Sequence, residues 1–237
     1  MTRKNDNADG APRVARAAAA READRAELTR LALVRAALRL FGTVGYDGAS
    51  TREIATAANA NIGSIAYHFG GKEGLRLAVA DHIVGLVEGV AAQALAQAPP
   101  EPLSPENAEK VIAVMLERMF DFFVLGDEAA EIVPFVLREM GQPSAAFDRI
   151  YAGVFEPLHR RFCGVWEAAT GEPAESEPTR IAIFALIGQV IYFRLGREAV
   201  KRRMGWNALG RPEGAAVMAV LRRNLHATLT ERKGAKS

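Results

Sequence analysis

The sequence predicts an all-α fold, with a small N-terminal helical domain joined to a larger C-terminal one. Three observations carry that prediction. Apolar residues recur at steps of three and four through most of the 237 residues, no stretch alternates with the period of a strand, and Gly, Pro or Asn stands at each break in the pattern. With 49% hydrophobic and 24% charged residues, a packed core is expected.

Residues 1–25 mix Ala, Arg and Asp without a persuasive apolar face and read as a mobile arm. Arg3, Arg13, Arg16, Arg21 and Arg25 could reach a DNA minor groove, but Asp6, Asp9, Glu22 and Asp24 cancel most of the charge and favour a solvated tail. The first firm helix spans about Glu27 to Thr43, with Leu31, Val34, Leu38 and Phe41 on its inner stripe. A loop with Gly45, Tyr46 and Gly48 follows.

Ser50 and Glu53 then form a capping box that starts a helix at Thr51, with Ile54, Ala55 and Ala58 on its apolar face. Asn59-Ala60-Asn61 is a turn, because Asn tolerates the left-handed conformation that ends one helix and caps the next. A second short helix starts at about Ile62 and ends at Phe69. Two short helices joined in this way form a helix-turn-helix, the arrangement that presents a helix to a DNA major groove. The domain boundaries follow: arm 1–25, helix-turn-helix domain 26–71, C-terminal domain 72–232 and a tail 233–237.

Gly70-Gly71-Lys72 is not a phosphate loop, since that motif needs Gly where Ala66 stands and Ser or Thr where Glu73 stands. Lys72 instead opens a long helix to about Gln97, lined by Leu75, Val79, Ile83, Leu86 and Val90, with Gly85 and Gly89 placed for close helix crossings. Ala98 to Pro102 ends it. Later helices are expected over about Pro105–Leu125, Asp127–Gly141 with Pro134 inside, and Ser144–Thr170 with Pro157 inside. Pro157 cannot donate to the carbonyl of Gly153 and should leave that oxygen free. Two last helices, about Thr179–Arg203 and Pro212–Arg232, follow the turn Gly171–Pro178.

The net charge of +2 excludes a histone-like basic protein, but between Leu28 and Lys72 five basic residues face only Asp47 and Glu53. One cysteine, Cys163, and no apolar N-terminal leader read as a cytoplasmic protein. The run Ile181–Phe193 falls short of the ~20 residues of a bilayer span. His68, His82, His159 and His226 are scattered, and no metal or nucleotide motif occurs, so the chain is not expected to be an enzyme or to hold a metal or cofactor.

Leu38-Arg39-Leu40-Phe41 and Gly45-Tyr46 before the helix pair, with Tyr67-His68-Phe69, Lys72-Glu73 and Leu75 after it, resemble the TetR family of bacterial transcriptional regulators. The resemblance spans about Leu31–Leu75. It implies a ligand-responsive repressor acting as a homodimer on a palindromic double-stranded DNA operator. Tyr67, His68 and Lys72 are then expected at phosphates, together with Thr51, while Ser64, Asn61 and Arg52 are candidate base readers. Gly63 lets the recognition helix approach the backbone, and Ala66 stands where the family usually has a bulky aromatic.

A dimer fits Phe184, Ile187, Gly188, Ile191 and Leu195 on one late helix and Val217, Leu221 and Leu225 on the next. Met115, Met119, Phe122, Phe123, Phe135, Tyr151, Phe155 and Phe162 can line a cavity for an apolar or amphipathic small-molecule effector, with Arg138, His159 and Gln189 as orienting polar groups. Arg138 to Ser144 with Phe147 further resembles the C-terminal domain of a TetR subgroup linked to antibiotic sensitivity, hence control of an efflux or detoxification gene. The rival readings are a helical protein-interaction bundle that does not bind DNA, and a ligand-dependent activator.

Overall fold

The computed structural model describes residues 10–95 and 103–234, and the side chains of 21–92 and 103–232. Residues 1–9 of the expected arm, the linker around Pro99–Pro102 and residues 235–237 of the tail lie outside the described residues. No strand occurs among those described. The chain divides into two compact units, Met1–Val79 and Ala80–Ser237.

In the first unit, α1 spans Gly10–Gly48 and is interrupted at Gly45, whose φ of 84° no side chain of L-configuration adopts readily. The helix therefore starts well before Glu27 and takes in much of the expected arm. Alanine is the reason: Ala11, Ala15 and Ala17 to Ala20 have the highest helix propensity and need no apolar stripe to persist in a helix. Leu33, Val34, Ala37, Leu38 and Phe41 are its buried face. α2 (Thr51–Ala57) and α3 (Gly63–Phe69) pack on that stripe through Ile54, Ala55 and Ile65, each almost wholly buried.

α4 runs from Lys72 to Leu95. At its start Gly74 sits against the end of α3, where an added Cβ would fall 1.8 Å from the Phe69 carbonyl oxygen. Gly85 and Gly89, the expected crossing points, face open space instead.

The second unit is built from the rest of α4 and from α5 (Pro105–Phe120), α6 (Glu128–Gly141), α7 (Ala145–Ile150), α8 (Glu156–Thr170), α9 (Glu177–Leu195), α10 (Arg197–Met204) and α11 (Arg211–Gly234). Pro134 lies inside α6 without dividing it. Two π-helical turns are inserted, Asp121–Leu125 after α5 and Tyr151–Phe155 between α7 and α8. The second answers the Pro157 problem differently from expectation. Pro157 becomes the second residue of α8, where a missing N–H costs little, and the preceding turn widens so that the Glu156 N–H donates to the Tyr151 carbonyl.

That widened turn holds Gly153 against α4, where a Cβ would lie 2.7 Å from both methyls of Val84. Arg149 pairs with Asp81 one turn earlier, a second tie between α4 and the α7 region.

α5, α8, α9 and α11 enclose the core around Ile112, Leu116, Phe120, Phe162, Trp166, Ile183 and Leu225. Trp166 is fully buried, and its Nε1–H donates to Glu172 Oε2 at 2.9 Å. Arg232 Nη1 donates to the same oxygen at 2.7 Å and its guanidinium lies 5.5 Å from the Trp166 ring centroid, so the end of α11 is tied to α8. Arg197 closes another junction, with Nη1 donating to the Val124 carbonyl at 2.8 Å and Nη2 to that of Leu209 at 3.0 Å.

The expected single helix from Thr179 to Arg203 is broken at Gly196 into α9 and α10. α9, despite Arg180, Gln189 and Arg194, is the one helix among the described residues long and apolar enough, by length and composition alone, to cross a membrane. In the fold Ile183, Leu186 and Val190 face the core, while Ile181, Phe184, Tyr192 and Leu195 are exposed along the opposite stripe with Gly188 between them. On α11 the expected dimer residues Val217, Leu221 and Leu225 point the other way, into the chain's own core at 6%, 4% and 1% exposure. They already have partners there, and Ala215, Ala216, Ala219 and Val220 form the apolar outer face of that helix.

Candidate nucleic-acid interface and ligand cavity

Local chemistry sets the geometry of the helix pair. The Ser50 hydroxyl accepts from the Glu53 N–H at 3.1 Å and the Glu53 carboxylate accepts from the Ser50 N–H at 2.8 Å, a complete capping box. Hydrogen bonds from the Ser50 hydroxyl and then its N–H hold the Glu53 carboxyl below its ordinary pKa. The stabilisation is thus present above the ordinary carboxylate pKa and is lost as pH falls through the lowered one. Ser50→Ala should cost about 1 kcal/mol near neutral pH. Urea unfolding at pH 7 and pH 3 checks this, with the difference between variant and parent shrinking at the lower pH.

Asn59 takes φ 50°, the left-handed conformation that reverses the chain. Asn61 Oδ1 accepts from the Gly63 N–H at 2.8 Å, so this side chain is held against the start of α3 and its amide donors are left for a base edge. Along α3, Ile65 is buried, Ser64 and His68 are half-buried, and Tyr67 is 83% exposed. The His68 ring meets Tyr67 edge-on at 4.9 Å. Arg52 is exposed beside Thr51 on α2, and Ala66 is exposed on α3.

Lys72 Nζ and the Arg76 guanidinium each lie 4.4 Å from the centroid of Tyr46. Burial, followed by a hydrogen bond with Glu73, raises the Tyr46 hydroxyl pKa, so the ring stays neutral under both cations. Tyr46, which the sequence offered as a loop aromatic and as part of the family resemblance, therefore holds the Lys72 ammonium.

The second unit contains a cavity of about 70 Å³. Val87, Val90 and Ala91 of α4 form one wall, Met115, Arg118 and Met119 of α5 a second, Phe122 and Phe123 of the π turn a third, and Leu158 and Arg161 of α8 the last. Four expected ligand residues, Met115, Met119, Phe122 and Phe123, come together there. The others lie elsewhere. Phe135 and Phe162 are buried core residues, Tyr151 and Phe155 form an aromatic group with Phe147 at 6.3 and 6.1 Å, and Arg138 is exposed on α6.

Gln189 Oε1 accepts from Asn224 Nδ2 at 2.9 Å, tying α9 to α11. His159 stacks on Phe184 with centroids 4.1 Å apart, and its Nε2–H donates to the Arg180 carbonyl at 3.1 Å. That tautomer leaves Nδ1 as an acceptor for the Cys163 thiol at 3.6 Å, which burial keeps protonated. Sequence reading missed the α4 wall of Val87, Val90 and Ala91, and with it Arg118, Leu158 and Arg161. The spacing of Arg118 three residues from Met115 and four from Phe122 put it on the same face, but a charge on a helix reads as solvated.

The family model for bacterial regulatory proteins of the tetR family matches residues 33–79, and that for the C-terminal domain of the HTH-type transcriptional dual regulator CecR matches 108–232. CecR of Shigella flexneri is 33% identical over 185 residues, which cover 77% of this chain and 82% of that protein. The chain belongs to the TetR family. It is a DNA-binding transcriptional regulator of that family with a CecR-type C-terminal domain, and its all-α architecture is the TetR one.

The HTH-type transcriptional repressor NicS of Pseudomonas putida is 30% identical over 111 residues, 47% of this chain and 49% of its own. Two solved structures share the fold. A TetR-like transcriptional regulator from Rhodococcus sp. RHA1 aligns with TM-score 0.59 at 20% identity, covering 85% of this chain and 96% of its own. AibR in complex with isovaleryl coenzyme A and operator DNA aligns with TM-score 0.58 at 18% identity, covering 82% and 96%.

Proposed function

We propose that this regulator is a cytoplasmic, ligand-responsive repressor that binds a palindromic operator as a homodimer and controls an efflux or detoxification gene. The observation that carries the reading is the cavity wall: Val87, Val90 and Ala91 belong to the same helix, α4, that begins at Lys72 in the DNA-binding unit. A ligand pressing on that wall acts on the helix that sets Lys72 and, through Gly74, the end of α3. Releasing 99% of sites from a 99% occupied start takes ~5.5 kcal/mol of differential binding.

In this reading Tyr67, His68, Lys72 and Thr51 meet phosphates, and Ser64, Arg52 and the Asn61 amide meet base edges, with Gly63 close to the backbone. The dimer forms on the exposed stripe of α9, where Ile181, Phe184, Gly188, Tyr192 and Leu195 lie, beside the outer face of α11. Isovaleryl coenzyme A and operator DNA in the AibR complex support a regulator that takes both a small molecule and an operator. Ligand-dependent activation is the second reading, favoured by the dual role of the Shigella flexneri relative.

The test is fluorescence anisotropy on DNA from upstream of its own gene across a salt series. Specific binding at roughly 10⁻⁸ M or tighter is expected, with affinity falling steeply as salt rises. Lys72→Ala should weaken binding uniformly and reduce the slope by about 1 per half-site, and Tyr67→Phe should weaken it less. Binding selection from a random DNA pool that enriches no sequence would overturn the reading.

A further inference from the structure

We infer that the effector is an anionic amphiphile, whose apolar end fills the α4–α5–α8 cavity and whose carboxylate or phosphate head is held by Arg161 and Arg118. The inference rests on the effector role proposed for this cavity and adds the ligand's chemistry. Size gives the first constraint. At about 70 Å³ the space is less than half of the roughly 150 Å³ apolar cavity that accepts benzene whole. It therefore takes the end of a chain or the edge of a ring, leaving the rest of the ligand outside. Met115 and Met119 are flexible enough to widen it for a slightly larger group.

Charge gives the second constraint. Eight of the ten lining residues are apolar, and the two that are not are both arginines, one on α5 and one on α8. No carboxylate is among the lining residues, so none of them offers a counter-charge to a cationic head.

Arg161 gives the third. It is half-buried, and among the described residues it makes no hydrogen bond or ion pair. Its neighbour Arg160 differs, pairing with Glu156 at 2.9 Å and approaching Glu175 at 4.0 Å. A guanidinium without a counter-ion at the edge of an apolar space is open to an anion, and its planar fork matches a carboxylate or phosphate. Long arginine stems covering apolar surface with their heads toward water place the charges at the mouth, where the head of a tail-first ligand would be.

Four probes with one tail separate the terms: octanoate, octyl phosphate, octanol and octylammonium, titrated into the full chain by isothermal calorimetry. The anions should bind about tenfold or more tighter than octanol, and octylammonium weakest. Arg161→Gln should bring octanoate and octanol within about threefold while leaving octanol unchanged, Arg161→Lys should retain part of the preference, and Met115→Trp should weaken all four. Preference for octanoate over octyl phosphate, or the reverse, identifies the head within the same class. Equal binding of all four, lost in Met115→Trp, would keep the cavity as an effector site and overturn the anionic ligand. No binding of any probe at millimolar concentration would overturn both. Circular dichroism melts of the variants ensure that a lost preference is read on folded protein.

Discussion

Phe184→Glu should leave the protein monomeric at micromolar concentration and lower its operator affinity by about 100-fold, because two half-sites are no longer linked. Phe184 is 61% exposed on the outer α9 stripe. Burying one such ring contributes about 1.5–3 kcal/mol, and a two-fold axis doubles the effect. The substituted carboxylates of two copies would also face one another across that axis. Sedimentation equilibrium and anisotropy check the two halves of the prediction. The variant also loses the stacking on His159, so its thermal melt must stay close to the parent's for the result to count. A dimer that persists would move the interface away from α9.

Trp166→Ala should destabilise the larger unit by about 3–5 kcal/mol, the largest stability loss expected from a single truncation in this chain. The ring is fully buried among α5, α8 and α11, and the substitution leaves a void that α8 cannot close without shifting Phe162 and Val165. It also removes the Nε1–H donor to Glu172, leaving that carboxylate to Arg232. Trp166→Phe should cost less, since most of the apolar volume remains. Urea unfolding followed by far-ultraviolet circular dichroism gives both values, and a loss under 1 kcal/mol for the alanine variant would contradict the packing described.

The parts of the fold legible in the sequence are those fixed by neighbours a few residues apart. Ser50 with Glu53, and Asn59 with Asn61, declare the helix pair because both caps and the turn are local chemistry. Where the outcome depended on distant partners, the pattern was ambiguous. The stripes of α9 and α11 are apolar on more than one side, so periodicity alone could not tell that Ile183 faces the core and Phe184 faces out, or that Val217, Leu221 and Leu225 face in. Pro157 announced a broken hydrogen bond, but a π turn re-registers the chain, and only the approach of Val84 to Gly153 makes that wider turn useful.

The same limit applied to the cavity. Met115, Met119, Phe122 and Phe123 follow from helical spacing, whereas Phe135 and Phe162 have the same composition and the same spacing but lie in the core. Arg118 and Arg161 were hidden for the opposite reason, since a lone cation on an amphipathic helix is usually a solvated one.

Trp166 and Trp206 are the two tryptophans of the chain, and both sit in the unit Ala80–Ser237, whereas Met1–Val79 holds only tyrosines, Tyr46 and Tyr67. Excitation on the red edge of the indole band therefore illuminates one half of the molecule and leaves the DNA-reading half dark. An emission change on adding DNA would have to originate in the larger unit, so the native chromophores already act as a one-sided optical label for communication between operator and effector regions.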